Sequence, residues 1–222
     1  MKSMFRIVFI LLLMALPAQA QVNCPAKPIG DINVVWGSEK IEYDFTKSQS
    51  QMDRMDIDTK SPYDRHTKTH VGGLMKGGIS VESKIQVASL TYPRSRQTCQ
   101  WIDNMDVTIR IDPKIYIARD HKQGTCRHKA ILDHEMKHVF VDREIVKKYI
   151  PVIQAELRTA IRKVGIVGPK AERDQRRYQK KISDYMDKRL KLVSEKMYTE
   201  RGERQQAIDT LAEYERVASL CR

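Results

Sequence analysis

The chain has 222 residues, 41% of them hydrophobic, and its 40 Lys and Arg against 28 Asp and Glu give a formal charge of +12. That length suits one domain with a real core plus an appendage. Nothing beyond the first twenty residues is apolar enough for a transmembrane helix, and the basic residues lie scattered among acidic ones, which argues against a nucleic-acid-binding surface.

At the start, Lys2 and Arg6 flank an apolar run over residues 7–16, and Ala18-Gln19-Ala20 offers a small-x-small cleavage site before Gln21. We read residues 1–20 as a secretory signal peptide, with an apolar run too short to span a bilayer. Gln21 and Asn23 before Cys24 do not form a lipoprotein box, so no lipid anchor is expected. Cleavage near Ala20 leaves an exported chain, periplasmic or secreted, whose formal charge falls to +10 with the loss of Lys2 and Arg6. An anionic cell-envelope polymer or an acidic protein surface would suit that charge as partner; a solvated basic surface is the simpler reading.

Four cysteines remain: Cys24, Cys99, Cys126 and Cys221. An even count in an exported protein favours two disulfides, and the absence of a C-x-x-C pair argues against a zinc ribbon or a thioredoxin-like site. The preferred pairing is Cys99 with Cys126 and Cys24 with Cys221.

Alternating apolar residues predict strands over 32–36 and 41–46, with Gly37-Ser38 as the turn between them. Residues 47–70 are polar and irregular. Gly72-Gly73 and Gly77-Gly78 precede a period-2 strand over 79–87, and two more strands, 106–111 and 114–119, are separated by Asp112-Pro113. Thr125 is a plausible N-cap for a helix running to about Tyr149, and Pro151 opens a second helix over 152–163. From Ala171 the chain favours helix. Ile182, Met186, Leu190, Val193 and Met197 trace an apolar stripe, Gly202 interrupts it, and Leu211, Tyr214 and Val217 resume it, as in a helical hairpin. Strands followed by helices make an α+β fold. The domain limits are then 21–168 for the α+β body and 169–222 for a charged C-terminal helical segment.

Within the first of these helices stands His134-Glu135-Met136-Lys137-His138. Residues i and i+4 share a helix face, so two imidazoles at this spacing can grip one zinc ion while Glu135 sits beside it. Both His fall in a sector with Ala130, Ile131, Val141 and Ile145, the side that should face the body of the domain. A core helix with two hydrogen-bonded His is the competing explanation.

On this motif and its apolar flanks the chain resembles the zincin superfamily of zinc metallopeptidases. In layout it resembles an uncharacterised bacterial family of exported zinc-dependent proteases: signal peptide, small sheet, motif helix. The resemblance implies peptide-bond hydrolysis on a peptide or protein substrate, with Zn2+ held by His134 and His138 and with Glu135 as general base. It also implies a sheet edge that takes the substrate backbone as an added strand, for which 106–111 and 114–119 are the candidates. A third ligand on a returning helix would be Glu156. Glu144 answers to a different spacing that expects Gly where Val141 stands, and Asp142 reads as a residue that orients a ligand. Lys137 departs from the uncharged residue usual at its position. His66 and His70 form another i, i+4 pair, in polar surroundings that suggest a solvated loop, and His121 and His128 flank the start of the motif helix. The alternative to an enzyme is a non-catalytic cell-envelope binding protein whose motif is structural or degenerate.

Overall fold

The computed structural model describes residues 22–57, 59–64 and 66–221, so the signal-peptide reading of residues 1–20 lies outside them. The architecture is α+β: one five-stranded mixed sheet with its two long helices on one face. Its strands are β1 (Asp31–Ser38), β2 (Glu42–Asp44), β3 (Gly73–Tyr92), β4 (Gln97–Ile117) and β5 (Val167–Ala171). A short helix α1 (Gln49–Met52) follows β2, the long α2 (Cys126–Val164) follows β4, and α3 (Gln175–Ile208) and α4 (Leu211–Ser219) close the order.

β4 is the centre of the sheet. One edge pairs antiparallel with β3 along its whole length; the other carries β1 and β2, both parallel, and β5, antiparallel, end to end. Its sequence dictates the layering. Met105, Val107, Ile109, Ile111, Ile115 and Ile117 alternate onto one fully buried face, while Asp106, Thr108, Arg110, Asp112 and Lys114 face away. The two strands expected at 106–111 and 114–119 are thus one continuous strand. Pro113 is tolerated because it falls opposite the gap between β1, which ends against Ile111, and β2, which begins against Lys114. Its partner Gly77 permits the close approach: a Cβ there would collide with the Asp112 carbonyl oxygen and lie 3.0 Å from Pro113 Cα. With both edges of β4 occupied, neither candidate segment can receive a peptide. The edge available near the motif belongs to β3.

α2 runs for 39 residues without a break, capped by the Thr125 hydroxyl, which accepts from the His128 N–H, and ended by Gly165 at φ 56°. The expected stop near Tyr149 and the separate helix over 152–163 are therefore corrected. Pro151 costs about 3 kcal/mol in a helix interior. Ile153, Leu157, Ala160 and Ile161 beyond it continue the buried face of Ile145, Val146 and Tyr149. Large apolar side chains such as these return roughly 1.5–3 kcal/mol each on burial. Pro151 and Lys147, whose carbonyl loses its partner, both lie on the exposed side, where water can replace the bond.

α3 packs antiparallel against α2, its stripe of Ile182, Met186, Leu190, Val193 and Met197 entering the same core. Cross-helix pairs mark the register: Arg189 with Glu156, Glu200 with Lys148 and Tyr149, Arg201 with Asp142, and Gln205 with His138. Gly202 does not interrupt it. The break comes at Asp209, where φ and ψ of −81° and 60° leave the helix, and Thr210 caps α4 by accepting from the Glu213 N–H.

The disulfides are Cys24–Cys99 and Cys126–Cys221, not the pairing expected. Sequence offered no reason to bring the C-terminal residues beside the start of α2, but α4 folds back across that turn. Cys24 instead lies against β4, where a Cβ on Gly168 would be 3.1 Å from its sulfur. Two disulfides fit an oxidising compartment. Among the described residues no helix is long and apolar enough to cross a membrane.

Candidate metal centre

His134 and His138 lie one turn apart on the face of α2 that meets the C-terminal helices, 8% and 7% exposed. Their Nε2 atoms converge on one carboxylate oxygen, Asp209 Oδ1, at 3.2 and 3.3 Å. Ligands bonded at 2.0–2.1 Å to a tetrahedral zinc stand about 3.3 Å apart, so the spacing fits such an ion. The hydrogen bonds behind the rings fit it too. His134 Nδ1 donates to Glu213 Oε1 at 3.3 Å, and His138 Nδ1 donates to Gln205 Oε1 at 2.5 Å. With Nδ1 donating in this way, a neutral ring at each position would present its Nε2 lone pair beside the Asp209 carboxylate oxygen, the donor set that a cation needs.

Three helices share this placement. α2 supplies both His. The break after α3 delivers Asp209, and the cap of α4 sets Glu213 over His134. Lys137, the charged residue inside the motif, reaches Glu213 Oε1 at 2.6 Å and so steadies the carboxylate that orients His134. Arg216, then Lys137 and His134, hold the Glu213 carboxyl well below the usual carboxylate range. Burial works against ionisation of Asp209, but hydrogen bonds from His134, His138 and Thr59 outweigh it and keep its pKa low. The two His respond in kind: burial disfavours their charged form, and Asp209 and Glu135 more than offset it, raising both pKa values.

Glu135 is 5% exposed and accepts from the Met75 N–H, a group that turns away from β4 at the edge of β3. Burial raises its pKa, against the pull of both His and of Met75. The contact requires Gly73, where a Cβ would lie 2.5 Å from Glu135 Oε1 and closer still to Ile131. Beside these groups opens a cavity of about 510 Å³, lined by the motif, residues 71–75 of β3 and its approach, the loop around Tyr63, and α4. Tyr214 enters it from α4, its ring 5.6 Å from that of His134 and its hydroxyl 3.4 Å from Asp209 Oδ1. Burial, then Asp209 and Glu135, push this phenol up, so it remains an O–H donor.

The predicted site residues part company here. His134, Glu135 and His138 come together. Glu156 does not join them: on an unbroken helix it lies about 27 Å beyond His138, and it pairs with Arg189. Asp142, fully buried, reaches His138 through Gln205, whose amide donates to Asp142 Oδ1 at 2.7 Å, and it also binds Arg201 at 2.7 Å. Glu144 is exposed beside Lys147. His70 bonds Asp53 in the polar loop, and His121 and His128 stand at the start of α2. Asp209, Gln205 and Glu213 escaped the sequence reading. The one local signal was Thr210-Leu211-Ala212-Glu213, a capping pattern that marks a helix start and hence a break at Asp209. Comparison with protein-family models, with curated proteins and with solved structures gives no match, so the functional reading rests on the site's own chemistry.

Proposed function

We propose that the protein is an exported zinc metallopeptidase with His134, His138 and Asp209 as metal ligands and Glu135 as general base. The observation that carries this reading is the convergence of two imidazole Nε2 atoms and one carboxylate oxygen beside a buried carboxylate at the wall of a cavity. Three protein ligands of this type leave a tetrahedral zinc one open position, where it supplies Lewis acidity and a water of lowered pKa. Glu135, its basicity raised by burial, takes the proton of the attacking water and passes it to the leaving amine. Tyr214 offers its O–H to the carbonyl oxygen as negative charge builds there. The outer edge of β3, where it meets the cavity, seats the substrate backbone. Residues 1–20 direct export, which agrees with the two disulfides.

Zinc titration against a chelator, with casein hydrolysis measured in parallel, tests this. His134→Ala, His138→Ala and Asp209→Ala should each weaken zinc binding by more than about 100-fold, and Glu156→Ala should leave it unchanged. Glu135→Gln should keep the metal and abolish hydrolysis. A purified protein with no zinc and no affinity for it would end the proposal. The bond from Met75 N–H to Glu135 favours one second reading, a metal-stabilised binding protein in which this carboxylate is structural. That reading requires wild-type protein to hold zinc and cleave nothing.

A further inference from the structure

The cavity also carries charged groups that metal chemistry does not use. Arg127 lines it two turns before His134 on the same helix face, about 10 Å along the axis, with Ile131 between. Its Nη1 donates to the Val217 carbonyl at 3.2 Å, which fixes the side chain against α4. A guanidinium has five N–H donors, and among the described residues Arg127 has no carboxylate partner. Neighbouring Cys126 is bonded to Cys221, which anchors the chain just beyond α4 at this end, and Val217 and Ala218 of α4 line the cavity there. Much of the wall between is apolar, formed by Ile131, Leu74, Val217 and Ala218. His121, which also lines this end, is held neutral by burial and by the Arg127 charge. Arg201 also lines the cavity but is ion-paired with Asp142, so the cavity has Glu135 and Asp209 at one end and Arg127 at the other.

An extended peptide advances about 3.3 Å per residue and covers this interval in roughly three. We infer that the site selects peptides bearing a carboxylate about three residues from the bond at the metal centre, and that Arg127 binds it through its guanidinium fork. The group is either a C-terminal α-carboxylate or an acidic side chain. This rests on the peptidase reading for the position of the bond, while recognition by Arg127 can be measured without turnover.

The probe is a pool of random hexapeptides presented to the zinc-loaded Glu135→Gln protein in three forms: free acid, amidated only at the C-terminus, and fully methyl-esterified. Free-acid peptides should be retained about tenfold to hundredfold better than esterified ones, as loss of a charge-assisted pair predicts. Loss on amidation alone identifies the α-carboxylate; retention of amidated peptides rich in Asp and Glu identifies the side chain. Adding Arg127→Met should preserve zinc affinity and abolish the discrimination, whereas Arg127→Lys, which keeps the charge without the fork, should restore part of it. Equal retention of esterified peptides, retention of none, or discrimination that survives Arg127→Met overturns the inference. Wild-type cleavage of neutral and acidic peptides at equal rates ends it too, yet leaves the peptidase standing. Arg127-dependent retention without any cleavage by wild type does the reverse.

Discussion

At Gly73 the sheet and the motif helix come close, and its missing side chain is what lets Glu135 reach the β3 backbone. Gly73→Ala should destabilise the fold by about 1–3 kcal/mol, because Ile131 is locked in the core on the other side of the contact. Displacement of Glu135 should lower hydrolysis further than the stability loss explains; urea midpoints and casein turnover on the same preparation separate the two effects. At this scale the sequence was legible where a local period governs. The i, i+4 spacing is a property of one helix, so His134 and His138 could be placed together from it. Asp209 could not, since nothing local in the sequence says which distant acidic residue will close a site 75 positions away. Glu156 reaches the site only if the chain turns back at Pro151, and the helix runs straight through it.

Pro151 did not turn the chain because an element answers to its whole buried face rather than to one residue. The helix-breaking residue stands on the solvent side of a stripe that continues beyond it. Pro151→Ala should therefore raise stability by roughly 1–3 kcal/mol with no change in zinc affinity, read from denaturant midpoints and chelator competition. The same force explains why α3 ignored Gly202: its stripe is held by the α2 partner. Between these helices, Lys148, then Arg204 and Tyr149, hold the Glu200 carboxyl at about 2. A depressed carboxylate stabilises the fold fully above its unfolded pKa, about 4.3, and that contribution is lost as pH falls from there toward 2. Glu200→Gln should flatten this part of the acid unfolding curve followed by circular dichroism. The strands were read in fragments for a related reason. Asp112-Pro113 looks like a turn by composition, and only the gap between β1 and β2 makes it harmless within β4.

Across the whole molecule, the segment expected to be an appendage completes the centre built by the body. α4 carries Glu213 and Tyr214 and is tied to the start of α2 by Cys126–Cys221. Replacing both cysteines by Ser should cost about 2–5 kcal/mol. It should also weaken zinc binding, because the helix that orients His134 is no longer tethered, and reduction of the wild type should do the same. Unchanged zinc affinity in the double Ser variant would show that α4 is held by packing alone. The pairing was invisible in the sequence because four cysteines constrain only their number, while the return of α4 depends on contacts with α2 and the cavity wall.

The order of residues along the chain also sets the order in which the centre can come into being. A ribosome makes the two imidazoles and Glu135 first, then Gln205, Asp209 and Glu213 about seventy codons later. Until that last stretch has emerged and docked, the growing polypeptide holds two histidines without the Asp209 carboxylate that joins them. The group that could hold a metal is incomplete for most of the chain's own synthesis, and a translation product cut short before Asp209 never completes it.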